Sequence, residues 1–146
     1  APLVCMEYGV SRTIVIYSLG NIVGFFLSGL AGVNFTIGAS AAVCSLIGAM
    51  LYYGKSRGGI YGQMVFRQIG GWAIGIALFG FLVPGINNWG HGGGMLAGAL
   101  LALLLGYRER RSEQFSHRVL AACCIATTAL VLLWSIMWGV TFLLFR

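Results

Sequence analysis

The sequence predicts an all-α fold, a polytopic membrane bundle of about five transmembrane helices in a single domain over 1–146. Three observations carry this. Hydrophobic residues fill 59% of the chain, charged residues only 8%, and mean hydropathy is +0.90. A soluble domain carries about 25% charged residues, so nine basic and three acidic side chains cannot clothe a water-facing surface. The apolar residues run on in long stretches, unlike the alternating strands of a membrane barrel. Finally, the charges cluster in short gaps between those stretches, and helices of that length satisfy their own backbone groups in lipid.

The elements follow in order. The first apolar segment covers 13–31, behind Glu7 and Arg12, and its Asn21 is expected to make an interhelical hydrogen bond worth about 0.6 kcal/mol. The second, 35–53, holds Gly38 and Gly48. A short third, 69–83, ends at the turn signal Pro84-Gly85. The fourth, 89–107, opens with glycines at 90, 92, 93, 94 and 98 around His91. The fifth, 119–145, is long; tilt and local thinning of the bilayer absorb such mismatch. Trp89, Trp134 and Trp138 read as interfacial or lipid-packing aromatics.

Basic and uncharged gaps alternate. Residues 32–34 and 84–88 carry no charge, whereas Lys55, Arg57 and Arg67 occupy one gap and Arg108, Arg110, Arg111 and Arg118 another. The positive-inside rule then places the N-terminus and a basic loop, 108–118, in the cytoplasm and the two uncharged loops outside. The formal charge of +6 is read as this bias rather than as a nucleic-acid surface. The arginines at 108, 110 and 111 are expected at anionic headgroups, with His117 solvated nearby. The four cysteines lack metal-ligand spacing and read as helix-packing residues without a disulfide.

Polar side chains within spans are expensive and mark candidate sites. Ser40 lies near the outer start of the second segment and His91 at the outer start of the fourth, so the topology sets them at similar depth. A hydroxyl and an imidazole within reach form a nucleophile and its general base. Helical spacing supports the pairing. His91, Gly94 and Gly98 share one face, Ser40, Cys44 and Gly48 another, and Gly94 to Gly98 forms a GxxxG motif that permits close helix approach.

These residues resemble those of the rhomboid intramembrane serine proteases. Gly38-Ala39-Ser40-Ala41 resembles the family's GxSG nucleophile motif, continued by Leu46-Ile47-Gly48-Ala49. His91 with Gly94 and Gly98 resembles its catalytic histidine and glycine ridge, and Met6-Glu7-Tyr8-Gly9 with Arg12 resembles the lead into its third transmembrane helix. The resemblance covers 7–107; the helix at 119–145 would be the extra C-terminal one of some members. It implies an intramembrane serine endopeptidase in a bacterial-type plasma membrane. Ser40 would attack and His91 act as general base on transmembrane protein substrates, with no metal or cofactor. Ala41 stands where the family's second motif glycine would be, and Cys44 where an aromatic commonly packs on the histidine ring. The family's second helix, which supplies oxyanion donors, has no counterpart here, so the chain is expected to be the C-terminal portion of a longer protein.

A different reading favoured by Ala41 and Cys44 is a rhomboid-like protein that binds transmembrane helices without cutting them. A transporter or channel subunit is disfavoured, because no acid lies inside a span and no broken-helix repeat is visible. The uncharged loop 84–88, beside His91 and flexible at Gly85, is expected to gate entry of substrate or water.

Overall fold

The computed structural model describes residues 2–33 and 38–144. Those residues form six helices and no strand: α1 Pro2–Tyr8, α2 Val10–Leu30, α3 Ser40–Arg57, α4 Gly59–Leu82, α5 Asn88–Leu105 and α6 Phe115–Leu144. The predicted ends at Phe35 and Phe145 lie outside the described residues. By length and composition α2, α4 and α6 can each cross a bilayer. The other two long helices, α3 and α5, have 18 residues each and pack among them, so the chain is a helical membrane bundle.

Several boundaries differ from the hydropathy reading. Helix α3 runs to Arg57 rather than residue 53, so Lys55 and Arg57 form its last turn and not a gap. A short α1 precedes the first span, broken from α2 at Gly9, whose φ of 86° suits glycine. The third segment starts ten residues earlier than expected, at Gly59 rather than residue 69, so Arg67 belongs to a helix and not to a gap. Gln63, Arg67 and Gln68 depress hydropathy there while remaining exposed, their long stems able to reach toward the interface. The last helix likewise begins at Phe115 rather than residue 119.

The bundle is built on α3, which contacts α2, α4 and α5. Its approach to α5 depends on missing side chains. A Cβ on Gly98 would lie 1.8 Å from the Ser45 carbonyl oxygen, one on Gly94 2.3 Å from that of Ala41, and one on Gly48 1.9 Å from that of Met95. The pairs Ala41–Gly94 and Ser45–Gly98 advance by one turn together along both helices, so α3 and α5 run parallel and both begin at the same end. On α2, Gly20 meets Ser45, and Gly24 fits where Ala41, Gly90 and Gly94 converge. Gly38 differs from this group. Nothing lies within 4 Å of a Cβ there, and its φ of +117° serves the turn before α3 rather than packing.

The other end is closed by tyrosines. Tyr8, Tyr53 and Tyr107 are buried edge to face, with the Tyr53 and Tyr107 centroids 5.0 Å apart, and the Tyr8 hydroxyl donates to the Ala49 carbonyl at 2.8 Å. Outside them Arg57 donates to both oxygens of Glu109, at 2.7 and 2.9 Å. That pairing holds the Glu109 carboxyl below its ordinary range.

His117 corrects the sequence reading: it is buried, at 7% exposure, not solvated. Its Nδ1 accepts from Arg12 Nε and from the Gln114 backbone N–H, both at 3.2 Å. Arg12 is fully buried and also donates through Nη2 to the carbonyls of Arg111 and Ser112, at 3.0 and 2.7 Å. This clasp ties the start of α2 to the 106–114 loop and to α6. It is the main hold on α6, whose buried residues are His117 and Ala121. Two further expectations fail. The Asn21 Oδ1 is buried without a hydrogen-bond partner among the described residues, and Cys123 is exposed rather than packed.

Glu113 completes the clasp by accepting from the Ser11 backbone N–H at 3.3 Å, at the N-terminus of α2. That bond, favourably placed on the helix dipole, lowers the Glu113 pKa. A carboxyl whose folded pKa is depressed contributes stability above its unfolded value of about 4.3, and loses it as pH falls through the folded value. Thermal stability in detergent is therefore expected to decline more steeply below about pH 4 in wild type than in Glu113→Gln. Parallel curves would exclude the contribution.

Candidate active site

Ser40 is the first residue of α3, and His91 ends the first turn of α5. Because the two helices run parallel and begin at the same end, both residues stand at helix N-termini on one side of the bundle. The residue after Ser40 touches Gly94, one turn beyond His91, which sets the two side chains at one level. Both line a single cleft of about 940 Å³ between α3, α4 and the start of α5.

Ser40 is exposed to this cleft and His91 is partly buried. No hydrogen bond joins them, and the Nδ1 of His91 is buried without a partner among the described residues. Such contacts are commonly long in a site without substrate and tighten once it binds. The first turn of α3, which has no side-chain cap, and the positive ends of two helix dipoles favour negative charge at this level. Across the cleft stand Trp72 and Phe79 of α4, while Cys44 lies one turn below Ser40 on the same wall. Helix α4 meets α5 where the Asn88 side chain lies directly on the Cα of Gly80, with no room for a Cβ between them. Gly85 and Ile86 of the loop thought to be a gate also line the cleft.

Sequence reasoning did not single out Asn87, Gln68, Trp72 or Phe79, all of which line the cleft. For the α4 residues the signal was weak, since aromatics in a span usually face lipid. Asn87 could have been found: an asparagine just before an apolar helical run is a strong N-cap signal. No group of three or more His, Cys, Asp or Glu side chains able to hold a metal gathers among the described residues.

A helical membrane bundle with a serine and a histidine facing one intramembrane cleft is the arrangement on which family comparison bears directly. The Rhomboid domain model matches residues 1–108, and the chain belongs to the rhomboid family. Among curated proteins it is similar to the Rhomboid protease GluP of Bacillus subtilis, strain 168, with 33% identity over 126 residues, or 84% of this chain. The match covers 24% of that relative, so the chain spans about a quarter of its length. No solved structure matches.

Proposed function

We propose that this chain carries the catalytic site of an intramembrane serine endopeptidase that cleaves transmembrane protein substrates through a Ser40–His91 dyad. The observation that carries the reading is that the hydroxyl and the imidazole line one cleft in a chain of rhomboid ancestry. In this mechanism Ser40 Oγ attacks the scissile carbonyl as His91 takes its proton. The same proton then passes to the leaving amine, and water, activated by His91, hydrolyses the acyl-enzyme. The first-turn N–H groups of α3 are the nearest backbone donors for the developing oxyanion, and losing one such donor typically costs about a hundredfold or more in rate. Substrate would enter from the side of α4, whose largely exposed apolar surface borders the cleft.

The basic turns at 55–58 and 106–114 lie at the end opposite Ser40 and His91. By the positive-inside rule that end is cytoplasmic, the N-terminus with it, and the cleft faces the outer side of a bacterial plasma membrane.

The test is labelling with a fluorophosphonate serine-hydrolase probe, using the longest natural chain that contains these residues. Wild type is expected to label, and Ser40→Ala and His91→Ala to lose labelling by at least about a hundredfold. A folded wild-type protein that does not label supports the second reading, helix binding without cleavage. Two observations favour that reading: the buried Ala41 methyl where the family motif has glycine, and Cys44 where it commonly has an aromatic.

A further inference from the structure

In a serine-histidine-acid triad the third member holds the imidazole through Nδ1. Here Nδ1 of His91 has no hydrogen-bond partner among the described residues. The turn that carries His91 is also poor in intrinsic order, because Gly90, Gly92, Gly93 and Gly94 surround it and each glycine weakens a helix by about 1 kcal/mol relative to alanine. Something else must fix this turn if His91 is to act on Ser40.

We infer that Asn87 is the positioning residue for His91, holding the backbone of its turn where a triad acid would hold its ring; the inference rests on the dyad reading above. Three polar groups of Asn87 converge on the task. Its Oδ1 accepts from the Gly90 backbone N–H at 3.0 Å, closing the N-cap of α5. Its backbone carbonyl accepts from the His91 N–H at 3.2 Å, the first helical bond of α5. Its Nδ2 donates to the hydroxyl of Ser28, which is fully buried on α2. A residue that merely capped α5 would need only the first of these. The link to Ser28 fastens the turn to a second helix, one that itself wedges against Ala41 and Gly94 through Gly24. Asn87 thereby sets His91 in the frame of α2 and α3, and so relative to Ser40.

The chemistry distinguishes substitutions. Asn87→Ala loses both side-chain bonds. Asn87→Asp keeps the acceptor for Gly90, and the Ser28 hydroxyl can turn to donate to the carboxylate. The rate constant for fluorophosphonate labelling is expected to fall at least about tenfold in Asn87→Ala and to stay within about threefold of wild type in Asn87→Asp. Ser28→Ala should slow labelling as well, and Ser28→Ala combined with Asn87→Ala should be no slower than Asn87→Ala alone, because the pair acts as one unit. Since position rather than basicity of His91 is disturbed, the midpoint of the pH–rate profile should not move. Thermal unfolding of each variant separates a slow site from an unfolded one, and faster hydrogen exchange at Gly90 and His91 in Asn87→Ala would report the loosened turn directly.

A wild-type rate in Asn87→Ala, or equal losses in Asn87→Ala and Asn87→Asp, overturns the inference while leaving the dyad standing. Failure of wild type to label at Ser40 overturns the dyad and this assignment together.

Discussion

Gly98→Ala is expected to abolish detectable serine labelling and to lower thermal stability sharply, although it adds a single methyl group. The added Cβ would lie 1.8 Å from the Ser45 carbonyl oxygen, 2.5 Å from its carbonyl carbon and 2.6 Å from its Cα. These are backbone atoms within a helix and cannot rotate away, so α5 must retreat from α3. Ordinary contact begins at 3.4 Å. A retreat of that order carries His91 more than about 1 Å from its place, and misplacement on this scale costs about a hundredfold in rate. Overpacking adds about 1–3 kcal/mol of destabilisation or more. The control sits on the same helix: nothing lies within 4 Å of a Cβ on Gly92, so Gly92→Ala should label normally and unfold no earlier than wild type. Labelling and thermal unfolding of both variants check the pair. Equal behaviour would mean that α3 and α5 do not meet at Ser45.

Arg12→Met is expected to destabilise the protein by about 3 kcal/mol, with the damage concentrated at the 106–114 loop and α6. The substitution retains apolar bulk but removes donors to His117, Arg111 and Ser112. Hydrogen bonds from a charged donor contribute about 1.5–3 kcal/mol each, and the carbonyls left behind are partly buried. Arg12→Lys should rescue little, because one ammonium cannot span the directions served by a planar guanidinium. Limited proteolysis is the sharper readout: the loop should be cut faster in Arg12→Met while the region around Ser40 keeps its resistance. Unchanged loop cleavage would show that α6 is held by other means.

How much of this was legible in sequence differs residue by residue. The helical bundle was visible because lipid leaves few alternatives to long apolar helices, and five of the six helices appear as hydropathy maxima. Ser40 and His91 could be named because polar side chains are rare in such runs. The spacing of Gly94 and Gly98 pointed to a close-packed face, which in the structure is the contact with Ala41 and Ser45. Hydropathy failed where a property belongs to a pair. His117 looked solvated because its neighbours in sequence are charged, but its partner, Arg12, is 105 residues away. The start of α4 was missed because its first ten residues, which include Gln63, Arg67 and Gln68, read as a gap. The cap made by Asn87 was readable locally, but its bond to Ser28 was not, because Ser28 is 59 residues away.

The attachment of α6 has a mechanical side. Its 30 residues rise about 45 Å, more than the roughly 30 Å hydrocarbon core, and beyond Ala121 no residue of the helix is buried in the bundle. Helices longer than the bilayer answer by leaning, and the described residues bury this one only near its start, at His117 and Ala121. The helix is therefore a lever arm with His117 at its fulcrum. A change in bilayer thickness that tilts the helix is expected to load the bond between His117 and the buried guanidinium of Arg12.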